Sequence, residues 1–199
     1  MSFHLILASG SEIRARILAN AGLQVQIVRP RVDENALREG MLLEKASPRD
    51  IADALAEVKA LKISLKYPDA YVLGCDQILD YQKKILTKPE NIEQAREQIA
   101  LLSENTHRLS SAAVLYHQGS PIWRHVGKAS LTMRRLSDTY IDKYVERNWP
   151  DISTSVGGYK IESEGIRLFS RIEGDYFTIL GLPLLELLSY LMMKGVIDT

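Results

Sequence analysis

With 199 residues, 46% of them hydrophobic and 25% charged, the chain has the composition of an ordinary globular protein and enough material for a full core. Its 25 lysines and arginines balance 25 aspartates and glutamates, so no net field draws it to a nucleic-acid polymer or an anionic membrane, and any cationic site must be local. The single cysteine, Cys75, excludes an internal disulfide framework and a cysteine-based zinc site, and it suits a reducing compartment.

At the start, "MSFHLILASGSEIRAR" holds an apolar run from Phe3 to Ala8 that is too short for a signal peptide and has no basic region before it. No apolar run reaches membrane-spanning length, so a cytoplasmic protein without a membrane partner is expected. "FHLILAS" reads as a strand, "SEIRARILANAG" as a helix capped by Ser11 and stopped at Gly22, and "LQVQIV" as a strand. This strand-helix-strand opening favours an α/β class. "SPRDIADALAEVKALKISLKYP" predicts a long helix with Ser47 as N-cap, Pro48 at the first position and Asp50 in the first turn, ended by Pro68. "YVLGCDQ" follows as a strand, then a turn rich in lysine and tyrosine, then a helix "IEQAREQIALL" capped by Asn91. "HRLSSAAVLYH" and "IWRHVGKASLTMR" read as a hairpin joined through "QGSP", and Ser137 caps "DTYIDKYVERN". After Pro150 a glycine-rich passage leads to a last apolar helix, and the whole chain, 1–199, reads as one domain.

Four places can carry chemistry. A strand ending in Ser9, Gly10 and Ser11 and feeding a helix aims unpaired backbone N–H groups and the helix dipole at what lies above it, which favours phosphate. There Ser9 can add a hydroxyl and Arg14 a charge-assisted fork; otherwise Ser11 is a simple cap and Arg14 a solvated surface residue. In "RPRVDENALREG", Asp33 and Glu34 are expected in a loop, as turn formers or as oxygen ligands for a divalent metal. On the long helix, Ile51, Leu55, Val58 and Leu65 form the expected core stripe, while Ala52, Ala56, Lys59 and Ile63 line its edge, so Lys59 is a held ammonium or one that snorkels into water. In "GCDQ", Asp76 and Gln77 are expected at the carboxyl end of an inner strand, where ligands bind in open α/β sheets; the alternative is a structural aspartate in an edge turn. Lys88, before Pro89, is biased to an extended backbone.

The stretches "LASGSEIR", "VDE", "EVKA", "GCDQ", "TKP", "VGGYKIESEG" and "IEGDYFTILGLPL" resemble, in order and from end to end, the successive motifs of the Maf-like nucleotide pyrophosphatases. The resemblance implies an elongated α/β molecule with a mixed, curved sheet flanked by helices and a central cleft between two lobes, often a homodimer. It implies hydrolysis of a nucleoside triphosphate between the α and β phosphates, to the monophosphate and pyrophosphate, with a divalent metal (Mg²⁺ or Mn²⁺). By motif, Asp76 would be the base that activates water, Ser9, Arg14, Lys59 and Lys88 would hold the phosphates, and Glu34 would help carry the metal. Gln77 and Lys160 resemble the branch acting on 7-methylguanosine triphosphate; the branch acting on dTTP and UTP tends to have threonine and glutamine there.

The chain departs from the family where "SPRR" or "SPWRR" is usual. Here Ser11, Glu12, Ile13, Arg14 and Ala15 stand, so the helix proline and one basic residue are missing, and Ile13 replaces the tryptophan usual in the 7-methylguanosine branch. Glu12 suits the helix dipole but opposes a triphosphate. The family is also linked with inhibition of septum formation, so a nucleotide-binding regulator of cell division with little turnover is the reading from a different class.

Overall fold

The computed structural model describes residues 4–198. Strands are β1 (Leu5–Ala8), β2 (Val25–Ile27), β3 (Tyr71–Tyr81), β4 (Lys84–Leu86), β5 (Thr106–His117), β6 (Ser120–Met133) and β7 (Phe169–Glu173). Helices are α1 (Glu12–Asn20), α2 (Glu34–Leu43), α3 (Pro48–Ser64), α4 (Ile92–Leu102), α5 (Asp138–Asn148), α6 (Tyr176–Ile179) and α7 (Leu184–Met193), with three short 3-10 turns between Asp151 and Leu168. The expected first strand includes Phe3, which lies outside the described residues. The seven strands form one open, mixed sheet in the order β2-β1-β3-β5-β6-β7, with β4 paired to β3. β1 runs parallel to both β2 and β3, whereas the β3–β4 and β6–β7 pairs are antiparallel. Among the described residues no helix is long and apolar enough to cross a membrane.

The chain forms two compact units. The first comprises Met1–Gln77, Ser111–Gly127 and Asp175–Thr199, and the second Ile78–Ser110 and Lys128–Gly174. In the first, β1 is buried at every position, as befits a parallel strand covered on both faces. α3 starts as its sequence dictates: Ser47 accepts from the Asp50 amide at 3.2 Å, its hydroxyl donates to the Asp50 carboxylate at 2.7 Å, and Pro48 occupies the first turn. The buried face holds Ile51, Ala52, Leu55, Ala56, Lys59, Ala60 and Ile63. The expected stripe needs correction at its end. Leu65 is the C-cap and 71% exposed, and Val58 is only half-buried, because the edge expected from the alanines is the centre of the contact.

Gly74 explains that centring. A Cβ there would collide with the Ala56 carbonyl oxygen and fall 2.7 Å from the Ala60 amide nitrogen, so the helix backbone lies directly on the strand. Gly74→Val should therefore destabilise by about 1–3 kcal/mol or more. At roughly 2–4 °C of melting temperature per kcal/mol for a chain of this size, a thermal melt reads the loss directly. Activity should fall with it, since Lys59 leaves the same helix surface.

In the second unit, α4 begins at Asn91, which accepts from the Gln94 amide at 2.8 Å, and α5 at Ser137, which accepts from the Tyr140 amide at 3.3 Å. Arg96 ties the two helices through Asp142 and Glu146. Beneath them His107, Tyr159 and Phe169 pack ring against ring, with His107 Nε2 2.6 Å from the Tyr159 hydroxyl. Burial lowers the His107 pKa to about 4, so this imidazole stays neutral.

Candidate active site

β1 ends at Ala8, paired with Gly74, while β3 runs on to Tyr81. The sequence places Asp76 at the exit of a strand; it lies within β3, and what ends at that level is β1. Asp76 thus reaches the carboxyl edge of β1 while fixed in a strand, which holds it more firmly than a loop would. The next residue after β1 is Ser9. Its Oγ accepts from the Ser11 amide at 3.2 Å and from Arg14 Nη1 at 3.1 Å. A hydroxyl has two lone pairs and one proton, so with both lone pairs used the Ser9 proton is the group left to donate. Ser11 occupies the N-cap of α1 without a side-chain capping bond, correcting the expected cap.

Arg14 is bolted in place. Nε donates to the Gly181 carbonyl at 2.8 Å, and Nη1 donates also to the Cys75 carbonyl at 3.1 Å. Gly181, at φ +97°, lies so close that a Cβ would meet Nη2 at 3.0 Å. The guanidinium is half-buried rather than a solvated surface group, and among the described residues its Nη2 end takes no acceptor.

On β3 the side chains alternate, so Asp76 shares the face of Gly74 and meets α3 one step further along. There Lys59 Nζ lies 2.7 Å from Asp76 Oδ1 and 2.9 Å from Glu34 Oε2. Lys59 and Asp76 are 6% and 7% exposed, so the ammonium is held in the interior and does not snorkel. Burial raises the Asp76 pKa above the ordinary carboxylate value; Lys59 and then Arg14 oppose the rise, and Glu34 adds to it. The expected loop at Asp33 and Glu34 is corrected: Asp33 caps α2, accepting from the Ala36 amide at 3.0 Å, and Glu34 is the first residue of the helix. The Asp-x-x-Ala start of a helix was legible as an N-cap, and it fixes Glu34 toward Lys59.

Gln77 points to the opposite face. Its amide nitrogen donates to Ser111 Oγ at 2.8 Å and to the Ile179 and Thr178 carbonyls at 3.0 and 3.2 Å, and Ser111 donates to the Thr178 carbonyl at 2.7 Å. These bonds pin the α6 turn that supplies Gly181 to Arg14, a long-range tie with no local signature. Cys75, fully buried, has its thiol pushed up to about 11 by burial and is inert at neutral pH. Ile13 is half-buried on α1. Arg29, which no motif marks, lays its side chain across Gly10; a Cβ on Gly10 would meet Arg29 Nε at 3.1 Å. "RPR", one residue past the end of β2, is the available signal.

Ser9 and Arg14, and beside them Glu34, Lys59 and Asp76, thus come together in the first unit, while Gln77 braces the α6 turn from the opposite face of β3. Lys88 and Lys160 belong to the second. Lys88 is exposed in the connection between β4 and α4, beside the buried Pro89. Lys160 is half-buried, pairs with Asp151, and has Gly165 packed on its backbone, where a Cβ would fall 2.8 Å from its amide nitrogen.

A family model described as "Maf-like protein" matches residues 4–194. A protein of Ruegeria pomeroyi named nucleoside triphosphate pyrophosphatase is 56% identical over 199 residues, 100% of both chains. One of the same name from Caulobacter vibrioides is 49% identical over 189 residues, 95% of this chain and 94% of its own. A protein of Mesorhizobium japonicum named 7-methyl-GTP pyrophosphatase is 48% identical over 198 residues, 100% of both chains.

Proposed function

The chain belongs to the Maf-like protein family, and from that membership we propose that residues 1–199 act as one catalytic domain, a nucleoside triphosphate pyrophosphatase. The observation that carries the reading is the buried Lys59–Asp76 pair set beside the Ser9 and Arg14 donors at the carboxyl edge of β1. Water's oxygen bonds the α-phosphorus, the bond from that phosphorus to the bridging oxygen breaks, and pyrophosphate leaves with that oxygen. Asp76 receives the proton. Its raised pKa strengthens it as a base, while Lys59 and Arg14 favour the ionised form from which a base must start. Because Oδ1 is taken by Lys59, Oδ2 is the accepting atom. Ser9, Arg14 and Lys59 hold the phosphates, and Arg29 over Gly10 adds a cation at the turn where the family's second basic residue is missing; for Lys88 the family likeness alone supports a phosphate role.

Glu34 would help hold a divalent cation such as Mg²⁺ or Mn²⁺: its Oε2 shares the Lys59 ammonium with Asp76, which leaves Oε1 as an oxygen ligand beside the base. No group of three or more His, Cys, Asp or Glu gathers among the described residues, and a carboxylate completed by phosphate oxygens and waters matches the habit of magnesium. When bound, the cation supplies neutralisation of charge on the phosphoryl oxygens. Excess EDTA is expected to abolish turnover while the thermal melt stays in place, since the fold is held by its core; full activity in EDTA would remove the metal from the mechanism.

For the base, Gln77 and Lys160 favour 7-methylguanosine triphosphate over dTTP and UTP, as does the likeness to relatives named 7-methyl-GTP pyrophosphatase. Ile13 argues the other way, because a cationic ring gains about 0.5–2 kcal/mol from an aromatic face that isoleucine lacks. The family likeness also supports a homodimer working in the cytoplasm. Catalytic efficiencies on 7-methylguanosine triphosphate, dTTP, UTP and GTP test the reading. The methylated nucleotide is expected to lead, and a tenfold lead for dTTP or UTP would overturn the assignment of the base.

A further inference from the structure

Three exposed arginines border one open hollow of the second unit. Arg134, Arg135 and Arg167, with Leu136, Ser137 and Tyr140, line a concave pocket of about 620 Å³, a size typical of small-molecule sites. Its wall is rigid: the Arg134 amide donates to the Leu168 carbonyl at 2.8 Å, the Glu104 amide donates to the Arg134 carbonyl at 3.1 Å, and the Leu136 amide donates to Ser103 Oγ at 2.9 Å. At one end lies Ser137, the N-cap of the 11-residue helix α5, so the positive end of the helix dipole borders the hollow.

Two of the three arginines have an acid within 4.0 Å, and among the described residues Arg134 has none. Glu104 lies 4.0 Å from Arg135, and Glu164 lies 3.6 Å from Arg167 but is committed to Arg147 at 2.6 Å. Asp138 is exposed in the first turn of α5. Among the described residues Arg134 makes no ion pair. The three side chains are open to solvent, so an anion can reach them, and guanidinium forks match phosphate oxygens.

We propose that this pocket is a second anion site, which takes a small, multiply charged phosphate compound between Arg134, Arg135 and Arg167 against the start of α5. Leu136 and the ring of Tyr140 give it an apolar wall on which a nucleobase can rest. None of these residues takes part in the Lys59–Asp76 constellation, so the site stands whether or not the hydrolytic reading does.

The test is a titration of the isotope-labelled full chain with inorganic pyrophosphate at physiological salt, followed by backbone amide NMR. The amides of Ser137–Tyr140 are expected to shift saturably, and Arg134→Ala with Arg167→Ala should weaken that response about tenfold or more while the rest of the spectrum is unchanged. Amides of Ser9–Arg14 report separately on the catalytic edge. Adenosine monophosphate as a second arm names the source: added shifts at Leu136 and Tyr140 mean a nucleotide, and a response to pyrophosphate alone means the free anion. No movement at Ser137–Tyr140 in millimolar pyrophosphate, equal titration in the double variant, or a response only to single-stranded RNA would overturn the proposal.

Discussion

Asp76→Asn is expected to cut pyrophosphate release by roughly 10²- to 10⁴-fold, the usual cost of losing a positioned general base. The substitution is nearly isosteric, and the asparagine oxygen can still accept from Lys59, so the fold and nucleotide binding should survive. The melting temperature should change little, because a desolvated charge is removed while Lys59 keeps Glu34 as its counter-charge. The pH profile offers a second readout. Because burial raises the Asp76 pKa, the acid limb of the parent's rate should fall at a pH above the ordinary carboxylate range, as the base becomes protonated. That limb should vanish in the variant. Turnover within a factor of a few of the parent would exclude Asp76 as the base.

Lys59→Met is expected to damage stability as well as activity. It strips the strongest opposing charge from Asp76 and leaves two carboxylates, Asp76 and Glu34, facing each other. Breaking a buried pair by removing one partner typically costs about 3–5 kcal/mol. The sign of its pH dependence follows from linkage. The folded pKa of Asp76 lies above its unfolded value, so the native state binds this proton more tightly; the contribution is fullest at low pH and is lost as pH rises through the folded pKa. Without Lys59 the folded pKa climbs further. The variant's deficit in melting temperature should therefore be large at about pH 8 and shrink toward about pH 5. Combining Lys59→Met with Asp76→Asn should recover stability without activity. A deficit independent of pH, or not relieved by the second substitution, would show that Lys59 acts through packing alone.

How far the sequence foretold this site depends on the range of each interaction. Lys59 was legible because helical spacing puts it on the face of Ala52 and Ala56, and Gly74 two residues before Asp76 is what lets that face approach. The alternation of β3 continues past Asp76, so local chemistry suggested a turn where the strand persists; β1 ends there instead, a fact of register that no single segment carries. Glu34 was misplaced because the cap signal of Asp33 was outweighed by the proline and charges before it. The ties from Arg14 to Gly181 and from Gln77 to Thr178 span more than a hundred residues and emerge only from the folded sheet.

The central claim is attack at the α-phosphorus. Turnover of a nucleoside triphosphate in ¹⁸O-labelled water, with the products resolved by mass, tests it most directly. The account predicts nucleoside monophosphate carrying the label and unlabelled pyrophosphate; label in the pyrophosphate, or release of nucleoside diphosphate and inorganic phosphate, would contradict it.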